Sequence, residues 1–207
     1  MNQPTGTAPP AVIYVIRHGE KPADPPAGST GSGPSGPPFG VDSQGNQDDH
    51  SLLPRGWQRS GALAALFDPA TGPLQAGLQV PGTLLSPSYG STAKTQEHRT
   101  YQTVQGLSER LGVPIVSDYA EGSEPALASY VVSQYAGVVL ICWEHDHIPS
   151  LASSLPTTSG TSIPQAWPGA RFDVIWAFTL VQGTSQYAFG QIPQQLLSGD
   201  AATIISA

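Results

Sequence analysis

Two uninterrupted apolar runs, Ala11-Val12-Ile13-Tyr14-Val15-Ile16 and Val138-Val139-Leu140-Ile141-Cys142-Trp143, restrict the fold of this chain more than any other feature. A strand with one wet face alternates apolar and polar residues, whereas a strand covered on both faces reads as a continuous Val/Ile-rich stretch. Both runs therefore predict buried parallel strands, the second of them central. Segments at helical spacing lie between and after them. Residues 54–67 read as a first crossover helix with Pro54 near its start, and 83–86 as a short second strand. Residues 94–111 read as a helix whose stripe of Thr100, Val104, Leu107 and Leu111 faces the sheet and which stops at Gly112-Val113-Pro114. Further along, 115–116 predict a brief strand, 125–135 a helix, 148–155 a short helix, 172–180 a buried strand and 186–189 an edge strand. Strands alternating with helices predict a single α/β domain over 1–207: a doubly wound, mostly parallel sheet with helices on both faces, its edge strand possible in the antiparallel sense. A chain of 207 residues is long enough to bury one such core.

In open α/β sheets ligands bind just beyond the carboxyl ends of the strands. The first run ends in Arg17-His18-Gly19-Glu20 and the central one in Glu144-His145-Asp146-His147, so both place histidine at that edge. Arg99, in His98-Arg99-Thr100-Tyr101-Gln102-Thr103, sits near the start of its helix and projects toward the same edge. The formal charge is −7 with eight Lys plus Arg, which argues against a nucleic-acid surface and makes each arginine individually significant. No run of 18 apolar residues suggests a membrane span, and residues 1–10 are polar and Pro-rich, unlike a classical export signal. The expectation is a soluble, cytoplasmic protein. The one cysteine, Cys142, lies inside the central apolar run and reads as a buried small hydrophobe, which fits a reducing compartment.

The 23 glycines and 21 prolines crowd most densely between residues 21 and 45. That composition predicts a flexible insertion over 21–50. Because it leaves the first strand directly after Arg17 and His18, it begins at the rim of the site, as a lid, a substrate-selecting flap or a tolerated insertion.

Arg17-His18-Gly19-Glu20 after a first strand resembles the signature of the histidine phosphatase superfamily, the phosphoglycerate mutase and acid phosphatase relatives. The resemblance implies a phosphoglycerate mutase-like fold, with His18 as the nucleophile that takes up a phosphoryl group and Arg17 holding its oxygens. Arg99 resembles the second phosphate arginine, in its Arg-x-x-Gln-Thr setting, and His145 the phosphate-contacting histidine, with His147 the alternative equivalent or else the cap of the following helix. Arginine suits that role through its planar fork of donors. The general acid is implied at Glu121, where the mutase branch carries its own, or at Asp146, where the acid phosphatase branch does; Glu124 replaces Glu121 under a small register shift. Leu53-Pro54-Arg55-Gly56-Trp57-Gln58 resembles the family's Leu-Thr-x-x-Gly-x-x-Gln segment. There Gly56 permits close packing, Arg55 reaches the loop over the site, and Arg55 and Arg59 are read as structural. Lys21 stands where acid phosphatases place a further arginine, and acts at most as a point charge.

The implied reaction is a two-step transfer through a phosphohistidine on His18 that removes phosphate from a small phosphomonoester or phosphoprotein, with no metal and no cofactor. A mutase-type phosphotransferase is the nearer alternative. It needs more basic groups than this chain supplies. A non-catalytic module that binds phosphorylated ligands is a second, and a metal-dependent hydrolase built on the His-x-His spacing of His145 and His147, completed by Glu144 or His18, is a third.

Overall fold

The apolar runs are covered on both sides because they are neighbours near the middle of one six-stranded sheet. The computed structural model describes residues 8–24, 36–90 and 95–207. Strands β1 (Val12–Arg17), β2 (Thr83–Leu85), β3 (Ile115–Val116), β4 (Val138–Trp143), β5 (Val174–Leu180) and β6 (Tyr187–Pro193) lie in the order β3-β2-β4-β1-β5-β6. β1 to β4 are mutually parallel, β1 pairing with β4 from Val12↔Val138 to Arg17↔Trp143. β5 runs antiparallel to β1, and β6 antiparallel to β5. The antiparallel sense expected at the edge is thus introduced one strand further in, by β5, and the edge strand β6 again points the same way as β1. An apolar run reports burial, not direction, so the sequence pattern carried no sign of this.

Helices α1 (Pro54–Phe67) and α2 (Arg99–Leu111) cover one face, and α3 (Glu124–Gln134) and α4 (Ile148–Ser153) the other. The alternation of β1 divides accordingly: Val12, Tyr14 and Ile16 pack with Leu63, Phe67, Val104 and Leu107, whereas Ile13 and Val15 pack with Leu127, Val131, Ile148 and Leu151. Leu111 joins the α2 stripe as a partly buried contact. Cys142 is fully buried against the α1–α2 side. No described helix is long and apolar enough to cross a membrane.

Helix α2 begins at Arg99, later than expected, and Lys94 lies outside the described residues. Of the Pro/Gly-rich segment, residues 25–35 lie outside the description, but 36–51 are tied down where flexibility was expected. The Asp42 carboxylate accepts from the backbone N–H of Gln44 and Asn46, Val41 donates to the Leu52 carbonyl, and Trp57 Nε1 donates to the Val41 carbonyl. Composition alone missed these local side-chain anchors, which satisfy the turn's backbone. Gln102 of α2 then holds the end of the segment, accepting from Leu52 N–H and donating to Ser51 Oγ.

Gly56 does permit close packing. A Cβ on Gly56 would lie 2.6 Å from the Glu20 carbonyl oxygen, and one on Gly19 3.0 Å from the Gly56 carbonyl oxygen. The first turn of α1 therefore rests directly on the backbone that follows His18. Gly56→Ala is expected to lower stability by about 2 kcal/mol, and Tm by roughly 4–8 °C, measured by denaturant and thermal unfolding.

Candidate active site

Parallel pairing of β1 and β4 brings the chain after Arg17 beside the chain after Trp143. The connections that follow run to opposite faces of the sheet, through α1 and α4, and the crevice between two such strand ends is where ligands bind in this architecture. His18 and His145 meet there edge to face, their ring centroids 6.2 Å apart. The N-terminus of α2 closes the third side. Thr103 of α2 fixes the junction, its hydroxyl accepting from Gly19 N–H at 2.7 Å and donating to the Arg99 carbonyl at 2.6 Å.

His18 is buried, and its Nδ1 lies 2.7 Å from the Gly19 carbonyl. A carbonyl only accepts, so Nδ1 carries the hydrogen and Nε2 keeps its lone pair. Burial, reinforced by the Arg17 charge, pushes the His18 pKa well below the usual range of histidine. At neutral pH the ring is uncharged, the form in which it is a nucleophile.

A cavity of about 280 Å³ opens over His18. Arg99, Thr100 and His145 line it with His18, and Thr100 is buried with no partner for its hydroxyl among the described residues. Arg99 Nη2 donates to the Asp49 carbonyl at 2.6 Å, Nη1 stands 2.6 Å from Glu97 Oε2, and Nε is buried without a partner. The Glu97 carboxylate thus pairs with the Arg99 fork. His145 Nδ1 is hydrogen-bonded to Glu144, whose other oxygen accepts from Asp146 N–H at 2.7 Å. Glu144 therefore orients the second histidine.

Arg17 departs from its expected place. It does not line the cavity but lies behind His18, with Nη1 donating to the carbonyls of Gly169 at 2.6 Å and Arg171 at 3.2 Å. Its guanidinium carbon stacks 3.9 Å above the centre of the Phe172 ring, and its Nε is buried and unpartnered. Burial lowers its pKa to about 10, so the charge persists at neutral pH.

The three candidate acids separate by environment. Glu121 lines the cavity, and burial, with Glu144 nearby, raises its carboxyl above the usual range. Asp146 lines it at the mouth, its side chain 81% exposed. Glu124 is removed from it. Its Oε1 accepts from Trp143 Nε1 at 2.9 Å and from Gly122 N–H at 2.8 Å, and against the pull of burial these bonds hold its carboxyl below the usual range. A carboxylate so engaged holds the start of α3 and is a poor proton donor.

Lys21 lines the cavity but is ion-paired with Asp24. Arg55 turns away from the cavity, with Nε 3.1 Å from Glu20 Oε1 and Nη2 donating to the Ser198 carbonyl at 2.6 Å. His147 also faces elsewhere, its Nδ1 3.2 Å from Glu124 Oε1. The His145/His147 pair is therefore not a metal pair. Among the described residues, His18, Glu144 and His145 are the ones whose ligand atoms converge, within 4.8 Å of one another. Thr100, Glu97 and Phe172 were not anticipated as site residues. Thr100 was legible only as part of the sheet-facing stripe, although its place next to Arg99 in the first helical turn was a usable signal. The other two carried none.

No family model matches the chain, and no curated protein matches it.

Proposed function

We propose that this protein is a phosphohydrolase of the histidine phosphatase type, with a doubly wound, phosphoglycerate mutase-like sheet, acting on a small phosphomonoester through a phosphohistidine on His18. One observation carries the reading: a buried histidine held neutral with Nε2 free, beside a cavity shared with unpartnered donors of Arg99 and Thr100 and with His145. Phosphoryl transfer is lowered in barrier mainly by positioning and by positive donors around the equatorial oxygens, and these groups supply both.

In the first step the Nε2 lone pair attacks phosphorus, the ester P–O bond breaks, and protonated Glu121 gives its proton to the leaving oxygen. In the second, water attacks the phosphohistidine, Glu121 accepts its proton, and His18 returns to the neutral ring. Arg99, Thr100 and His145 hold the transferring oxygens, and Arg17 adds its charge from behind. The test is direct. Acid-labile, alkali-stable phosphate on the His18 peptide after mixing with p-nitrophenyl phosphate supports the reading, and its absence under rapid quench sinks it.

The pH profile follows from two shifts. Activity needs His18 unprotonated, and its lowered pKa moves the acid limb below the usual histidine range. Activity needs Glu121 protonated, and its raised pKa extends the acid form upward from the usual glutamate range. The optimum is therefore expected below pH 7, measured as kcat against pH. Glu121→Gln should abolish the alkaline limb and lower kcat about 100-fold for alkyl phosphates, with a smaller loss for p-nitrophenyl phosphate, whose leaving group needs no proton.

A metal-dependent hydrolase is the second reading, favoured by the convergence of His18, Glu144 and His145. It requires loss of turnover with EDTA and recovery with a divalent ion. The phosphohistidine reading expects turnover to be unchanged by chelation.

A further inference from the structure

The cavity over His18 changes sign with depth. Donors lie deep: Thr100 is 4% exposed with its hydroxyl unpartnered, and Arg99 has a buried Nε without a partner. A buried hydroxyl with no partner among the described residues, on a residue that lines the cavity, marks a place that a ligand completes. Toward solvent the lining is acidic, ending in Asp24 and Asp146, whose side chains are 80% and 81% exposed. The two lining cations are already matched, Lys21 by Asp24 and Arg99 by Glu97. Glu121, Glu144 and Asp146 remain, and among the described residues His145 is the basic group paired with Glu144 and Asp146.

A phosphate seated on the donors extends its alcohol toward these carboxylates. A neutral alcohol leaves them uncompensated, an acidic one is repelled, and a cationic one is attracted. Burial, then the neighbouring Glu144 carboxylate, raise the Glu121 carboxyl, and the opposing charge of His147 does not cancel them.

We propose that the cavity selects phosphomonoesters of cationic alcohols, with the phosphate against His18, Arg99 and Thr100 and the ammonium group against Glu144 and Asp146 at the mouth. This rests on the phosphatase reading above and narrows its substrate class. Glu121, which lines the same cavity and is protonated for the first step, is the donor to the bridging oxygen.

The experiment compares phosphocholine with its carbon isostere, in which a tert-butyl group replaces the trimethylammonium group. The two esters match in shape and in phosphate, so their ratio of kcat/KM isolates the cation. The ratio is expected to be about tenfold in favour of phosphocholine at low ionic strength, to fall as salt is added, and to drop at least about threefold in Asp146→Asn. A ratio of one or below, with p-nitrophenyl phosphate still turned over, overturns the cation selection and leaves the phosphatase reading standing. An advantage that appears only with an added divalent ion assigns the carboxylates to a metal and overturns it as well. If no ester phosphorylates His18, both readings fall together.

Discussion

His18→Ala is expected to abolish the phosphoenzyme and to lower kcat with p-nitrophenyl phosphate by about 10⁴-fold or more, because removal of a covalent nucleophile leaves only binding and electrostatic stabilisation behind. The loss should appear in kcat rather than KM, since Arg99, Thr100 and His145 still line the cavity. The fold should survive it. Among the described residues the His18 ring hydrogen-bonds to the adjacent Gly19 carbonyl alone, whereas the turn itself is held by Thr103 through Gly19 N–H. Circular dichroism and thermal unfolding close to the native protein, together with the lost phosphohistidine, separate a missing nucleophile from a collapsed site. His145→Ala offers the internal contrast. It removes one donor to the transferring group and should cost about 10²–10³-fold while leaving a trappable phosphoenzyme. If His145→Ala is silent and His18→Ala only modestly slower, the nucleophile assignment is wrong.

The elements that position these residues were legible because burial on both faces leaves an unbroken apolar run. β1 and β4 declared themselves in that way, and with them the strand ends that bring His18 beside His145. The direction of β5 was not legible, since Val174-Ile175-Trp176-Ala177-Phe178 is equally apolar whichever way it runs. Boundaries slipped where tertiary contacts set them. Helix α2 starts at Arg99 because the 36–51 segment bonds across its N-terminus, His98 N–H to the His50 carbonyl and Arg99 to the Asp49 carbonyl. The same limit applied to side chains. A sequence places Arg17 beside His18, but whether a guanidinium turns into a cavity or onto three backbone carbonyls and a phenyl ring depends on the 168–172 segment, far away in the chain. Glu124 and Glu121 are likewise indistinguishable by type. One is claimed by Trp143 Nε1 and a backbone N–H, and the other lines the cavity beside Glu144.

Arg59→Met is expected to lower stability by about 3–5 kcal/mol at pH 7, the largest structural loss of any single substitution considered, because it leaves the buried Asp200 without its cation and Glu20 with Arg55 alone. The Arg59 side chain is 2% exposed and bridges two elements, bonding Glu20 at 2.8 and 3.1 Å and Asp200 at 2.8 and 3.0 Å. Burial opposes the Arg59 charge, but the hydrogen bonds it donates to Asp200 and Glu20 outweigh it and raise the pKa. Burial likewise opposes the Asp200 charge, yet the Arg59 hydrogen bond and the N–H groups of Leu197 and Leu196 hold its carboxyl down to about 2. The sign of the pH dependence follows. A carboxyl depressed in the folded state contributes stability that is fully present above its ordinary range, near 4, and is lost as pH falls through about 2. In Arg59→Met that contribution is gone, and the buried acids prefer to be protonated. The gap between native and variant protein should therefore be widest near neutrality, begin to narrow above about pH 4 as the variant's acids take up protons, and go on narrowing toward 2, read by urea unfolding across that range. A gap that is constant with pH would assign the loss to packing of the arginine stem instead. Because Glu20 follows His18 by two residues, the proposed phosphatase reading expects the variant also to lose turnover beyond what unfolding explains, through movement of the turn that carries His18.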